Sequence, residues 1–79
     1  MKKIIAPLVS ANEDIVRVVE VSTLKNQYCK KGQIILILET SKSSLEVEAE
    51  EDGFVCTVCK AGDEIKVGEI LGVISDNKI

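Results

Sequence analysis

The sequence predicts an all-β fold: a flattened barrel or sandwich of two small sheets with pseudo-two-fold symmetry. Three observations predict it. No window of the 79 residues sustains a 3.6-residue hydrophobic period, whereas several alternate with period two. The apolar residues are mostly Ile, Val and Leu, and aromatics make up only 3%, which suits a core of pleated, half-buried surfaces. The chain also repeats itself. A shift of 36 positions lays Gly32-Gln33-Ile34-Ile35-Leu36-Ile37-Leu38-Glu39 on Gly68-Glu69-Ile70-Leu71-Gly72-Val73-Ile74-Ser75, Asn26 on Gly62, Val18-Val19 on Phe54-Val55, and Cys29 on Ile65. Each half is a strand, a turn and a second strand. Neither half can bury its apolar face alone, so residues 1–79 are expected to form a single domain.

Taken in order, the first strand is expected near Lys2–Ala6, before the loop Ser10–Asp14. Ile15–Val21 is the second strand, and Thr23–Gln27 is a surface loop by composition. Short bridges are expected near Tyr28–Cys29 and Ile65–Lys66, and further strands at Ile34–Glu39, Leu45–Glu50, Gly53–Val58 and Ile70–Ser75. Gly53 and Gly62 are expected to supply positive backbone angles in tight turns, and Gly32 and Gly68 to do the same ahead of the paired strands. Asn26, repeat-equivalent to Gly62, is the non-glycine residue best able to serve the matching turn. The tail Asp76–Ile79 is too short for a linker.

Composition excludes several classes of function. Net charge is −3 with no basic face, which argues against a nucleic-acid partner. Histidine is absent, removing the usual general base and the commonest metal ligand. Met1-Lys2-Lys3 and the apolar run Ile4–Val9 imitate a secretory signal, but the run is too short and meets Asn12-Glu13-Asp14 at once. No stretch approaches the roughly 20 apolar residues of a membrane helix. A soluble, cytoplasmic, monomeric chain without a membrane partner is the expectation.

The most informative segment is Glu39-Thr40-Ser41-Lys42-Ser43-Ser44-Leu45-Glu46-Val47-Glu48-Ala49. Ile34–Leu38 leads in as a strand, and Leu45, Val47 and Ala49 lead out with Glu46, Glu48 and Glu50 on the solvent parity. Lys42 then stands at the tip of a hairpin, exposed and away from any core. An amine on a four-carbon stem is a nucleophile once deprotonated and a usual target of covalent modification. The plainer reading of such a lysine is a solubilising residue.

The whole chain resembles the biotinyl and lipoyl attachment domains. The lipoyl pattern at the hairpin is Glu-Thr-Asp-Lys-Ala; Glu39, Thr40 and Lys42 match it, while Ser41 replaces the aspartate and Ser43 the small apolar residue. Biotinyl domains flank their lysine with methionines, and the only methionine here is Met1. Ile4-Ile5-Ala6-Pro7, Lys30–Ile34, Glu51–Val55 and Ala61–Glu69 extend the likeness, which spans about Lys3 to Ser75. The resemblance implies a lipoyl-like barrel-sandwich carrier with lipoate bonded to Lys42 and biotin as the alternative cofactor. It implies Glu39, Thr40, Ser41 and Ser43 as the flanks that an attaching enzyme reads. It further implies no catalysis by the chain itself: partner enzymes of a 2-oxo acid dehydrogenase-like or glycine-cleavage-like system would do the chemistry. An unmodified interaction module of the same fold is the other alternative.

Two further features invite chemistry. Cys56-Thr57-Val58-Cys59 has redox or metal-pair spacing, but falls on an expected strand, where residues three apart face opposite ways. Zinc would need a ligand beyond Cys29, Cys56 and Cys59. These read as ordinary strand and core thiols. Glu46, Glu48 and Glu50 read as a solvated acidic stripe. Ile37 is the candidate for an exposed apolar contact, since five consecutive large aliphatic residues, Ile34–Leu38, cannot all face inward on an alternating strand.

Overall fold

The computed structural model describes residues 2–7 and 14–77. Among them the chain forms eight strands: β1 (Lys2–Ile5), β2 (Ile15–Val21), β3 (Gln27–Cys29), β4 (Ile34–Glu39), β5 (Ser44–Glu48), β6 (Gly53–Thr57), β7 (Glu64–Lys66) and β8 (Ile70–Ser75). The strand pairings among the described residues are antiparallel, in two four-stranded sheets ordered β1-β8-β6-β3 and β5-β4-β2-β7. The expected strands are found where period two placed them, with ends differing by a residue or two. The two bridges are three-residue strands, and β3 begins at Gln27, inside the expected surface loop. Residues 8–13, which hold most of the expected first loop, and residues 78–79 of the tail lie outside the described residues.

The sequence repeat is realised as the pseudo-two-fold. Exchanging β5, β4, β2 and β7 for β1, β8, β6 and β3 maps one sheet order onto the other. Backbone bonds follow the same mapping. Gln27 N donates to Leu24 O (3.1 Å) as Asp63 N does to Lys60 O (3.1 Å). Gln33 N donates to Lys30 O (2.9 Å) as Glu69 N does to Lys66 O (3.0 Å). In all four turns the third residue has positive φ: Asn26 (60°), Gly62 (97°), Gly32 (90°) and Gly68 (93°). A four-residue turn with positive φ at that position is the type II arrangement, which demands Gly or Asn there. In three of them the fourth residue's side chain accepts from the first residue's N–H, and Gln27 Oε1 does the same at Leu24.

The repeat slips in β2. Arg17 pairs with Glu39 and Phe54 with Ser75, so Arg17 is the structural equivalent of Phe54, one residue off the uniform shift. Glu20 opposite Ile37 and Cys56 opposite Val73 restore it. The extra residue is Val19, a bulge between Val18 and Glu20, and Val18 therefore matches Val55 rather than Phe54.

Ile35, Leu36, Leu38, Leu71, Val16, Val18 and Val55 are fully buried between the sheets, and no polar or charged side chain is buried among the described residues. The five-aliphatic run of β4 is explained by a second irregularity. The register shifts between Ile34 and Leu36, so Ile35 and Leu36 both reach the core, and Ile37 is half-buried on the outer face between Glu20 and Glu46. On β5 the alternation holds: Leu45 and Val47 point inward, Glu46 and Glu48 outward.

One glycine expectation is corrected. Gly53 has no positive φ; a Cβ there would lie 2.7 Å from Ser75 O and 2.9 Å from a side-chain carbon of Ile74. It is needed because β6 and β8 approach closely, not because a turn requires it.

Candidate functional site

The hairpin β4–β5 carries Lys42 at its tip. The ladder runs through Leu38 opposite Leu45 and Glu39 opposite Ser44, leaving Thr40–Ser43 to reverse the chain. Thr40 N donates to Ser43 O at 2.8 Å. The Thr40 hydroxyl then does the work that a left-handed residue does in other tight hairpins. Its oxygen accepts from Lys42 N and Ser43 N, both at 3.2 Å, and lies 3.3 Å from Ser43 O and 3.5 Å from Ser43 Oγ. Among the described residues Asn26 is the only non-glycine with positive φ, so the tip is turned without a strained residue.

Each residue expected at the site is brought together here. Ser41, Lys42 and Ser43 are exposed, while Glu39 and Thr40 are half-buried at the base of the hairpin. The described residues offer no ion pair to the Lys42 ammonium; the pairs present are Lys2–Glu50 (3.4 Å) and Arg17–Glu39. Ser41 and Thr40 line a cleft of about 190 Å³ together with Ile15, Arg17, Glu39 and Glu64.

Arg17 is the residue that sequence reasoning missed. It sits opposite Glu39 on the neighbouring strand. Its Nε donates to Glu39 Oε1 at 2.9 Å and its Nη2 donates to the same oxygen. Hydrogen bonding to Glu39 and the Glu39 charge hold the Arg17 guanidinium above its ordinary pKa, with Glu64 adding to the effect. Period two marks Arg17 as an outward residue of β2, but the register that sets it beside the hairpin is a tertiary fact.

The remaining candidates separate by burial. Cys29 and Cys59 are buried free thiols, and Cys56 is a half-buried one on β6. Burial pushes the Cys29 thiol pKa up; Cys59 is raised by burial and by Asp63, and its Sγ lies 3.6 Å from Leu71 O. No cluster of three metal-ligating side chains occurs among the described residues. Glu46, Glu48 and Glu50 form the acidic stripe, with Glu50 paired to Lys2.

With this geometry in hand, comparison with known proteins is informative. The model of a family described as biotin-requiring enzyme, Biotin_lipoyl, matches residues 2–74. The dihydrolipoyllysine-residue succinyltransferase component of the 2-oxoglutarate dehydrogenase complex from Bacillus subtilis (strain 168) is 46% identical over 50 residues. That match takes in 62% of this chain and 12% of that protein's length. The solution structure of the lipoyl domain of the 2-oxoglutarate dehydrogenase complex from Azotobacter vinelandii matches with a TM-score of 0.80 at 29% identity, over 95% of this chain and 96% of that one.

Proposed function

The chain belongs to the biotin/lipoyl attachment family, whose model covers residues 2–74, and on that premise we propose that it is a swinging-arm carrier lipoylated on Lys42. The observation that carries the proposal is an exposed lysine at the tip of a hairpin whose residues Glu39, Thr40 and Lys42 follow the lipoyl pattern. The site fits the group. An amine without an ion pair among the described residues is accessible to an acylating enzyme, and amide formation removes its charge at little cost to a fold that does not use that charge. When bound, the dithiolane supplies reversible redox and acyl-transfer chemistry. The chain's own residues position the arm: Thr40 fixes the tip, β4 and β5 make a stiff base, and the exposed face leaves the arm free to reach separate active sites. The partners we propose are a lipoate-attaching enzyme and the enzymes of a 2-oxo acid dehydrogenase-like system, with no catalysis by this chain.

The test uses a lipoate ligase, lipoate and ATP with intact-mass detection. One lipoyl adduct is expected on the chain and none on the Lys42→Arg variant, which should unfold at the same temperature because the tip contributes nothing to the core. An adduct persisting on that variant would move the site to another lysine.

A further inference from the structure

We propose that Arg17 is the positioning residue of the attachment hairpin: it fixes the Glu39 carboxylate on the outer face of the sheet, where the lipoate-attaching enzyme reads it. This rests on the carrier reading above. Across the sheet that bears Lys42, the registers set Glu64, Arg17, Glu39 and Ser44 side by side on β7, β2, β4 and β5. The row ends two residues from Lys42. Both Arg17 donors converge on Glu39 Oε1, which holds the carboxylate in one orientation on the outer face of the sheet.

Two further observations separate this from an incidental surface ion pair. The first is the pseudo-two-fold. The equivalents of Glu64, Arg17 and Glu39 in the other sheet are Tyr28, Phe54 and Ser75, an uncharged row with the two rings in edge contact at 5.2 Å. The fold therefore tolerates this position without charge, and exposed ion pairs stabilise little in any case. The charged row occurs only on the sheet that carries Lys42. The second is the identity of residue 41. Ser41 lines the same cleft as Arg17 and Glu39 and stands where the lipoyl pattern has an aspartate. From Glu39 to Leu45 the carboxylate of Glu39 is the only one, so recognition of acidic character at the tip falls on a side chain whose orientation Arg17 sets.

The experiment measures the kinetics of Lys42 lipoylation by a lipoate ligase for the whole chain and for R17Q, R17K, E39Q and the R17Q/E39Q double variant, with thermal midpoints alongside. R17Q and E39Q should each raise KM for the chain about fivefold to tenfold at unchanged kcat, a loss of ground-state recognition. The double variant should be no worse than E39Q, because Arg17 acts through Glu39. R17K, which keeps the charge but not the two-donor geometry, should recover part of the loss. All midpoints should stay together, so that a change in KM reports recognition and not partial unfolding; a pair serving only stability would leave KM unchanged. Wild-type KM in R17Q, or losses that multiply in the double variant, would overturn the proposal. A wild-type chain that no ligase modifies would instead sink the carrier reading itself.

Discussion

A single hydroxyl decides how Lys42 is displayed. Thr40 accepts the N–H groups of Lys42 and Ser43, so the hairpin closes without glycine and the lysine stem leaves from a fixed base. The two serines beside the lysine, Ser41 and Ser43, are exposed and replaceable without touching the core. They are therefore where cofactor preference can be altered. Changing both to methionine should alter the free energy of unfolding by no more than about 0.5 kcal/mol. The same change should raise labelling by a biotin ligase and lower labelling by a lipoate ligase, since methionine flanks resemble the biotinyl pattern. Equal labelling of the two proteins by both ligases would show that the flanks do not set the preference. Thr40 and Lys42 were legible in the sequence as motif positions. The role of Thr40 as the acceptor that turns the tip was not, because it depends on where a side-chain oxygen falls after the chain has reversed.

The strands illustrate how far a period of two carries. It located every element, but it could not see the two places where the count slips. Val19 bulges out of β2, and the Ile34–Leu36 irregularity lets adjacent residues of β4 both enter the core. A bulge adds one residue to one strand, and nothing in a five-aliphatic run marks which residue is extra. Glycines divide along the same line. Gly32, Gly62 and Gly68 were readable from turn chemistry, whereas Gly53 and Gly72 serve close strand approach. A Cβ on Gly72 would lie 2.5 Å from Cys56 O and 2.8 Å from Thr57 Cα, both backbone atoms that cannot step aside without displacing β6. Gly72→Ala should cost about 2–3 kcal/mol in urea unfolding. Gly32→Ala meets nothing within 4 Å and bears only the strain of its φ of 90°, about 1–2 kcal/mol. A Gly72→Ala variant as stable as wild type would mean that β6 and β8 lie far enough apart to admit a methyl group.

At the scale of the molecule, the two sheets share one topology but not one surface. The sheet bearing Lys42 shows Arg17, Glu20, Glu39, Glu46 and Glu64 outward, and the other sheet has Phe54, Cys56, Ser75, Lys3 and Tyr28 at the corresponding positions. Charge is thus concentrated around the hairpin, and the shared interior is aliphatic. Two thiols belong to that interior, and folding raises the pKa of both, Cys29 through burial and Cys59 through burial and Asp63. A raised thiol pKa means the folded chain keeps its protons where the unfolded chain has lost them. That contribution to stability is complete below the ordinary thiol range and declines as pH rises through about 8.5 toward the raised values. Thermal midpoints followed by circular dichroism should therefore fall between about pH 8 and 10, and the fall should be shallower in the double variant Cys29→Ala, Cys59→Ala. An identical slope in both proteins would assign the alkaline loss to other groups.

The sequence by itself determined the all-β class, the strand positions, the pseudo-two-fold and the tip lysine, because each rests on local spacing: period two, a repeated turn, a motif within one hairpin. Only the tertiary structure decided that Arg17 grips Glu39, that Ile37 lies half-buried between two glutamates, and that Gly53 is a contact glycine. Each of these depends on which residue of a distant strand stands opposite. Register is fixed by bulges and by the packing of the whole core, and a slip of one residue would reverse every such pairing.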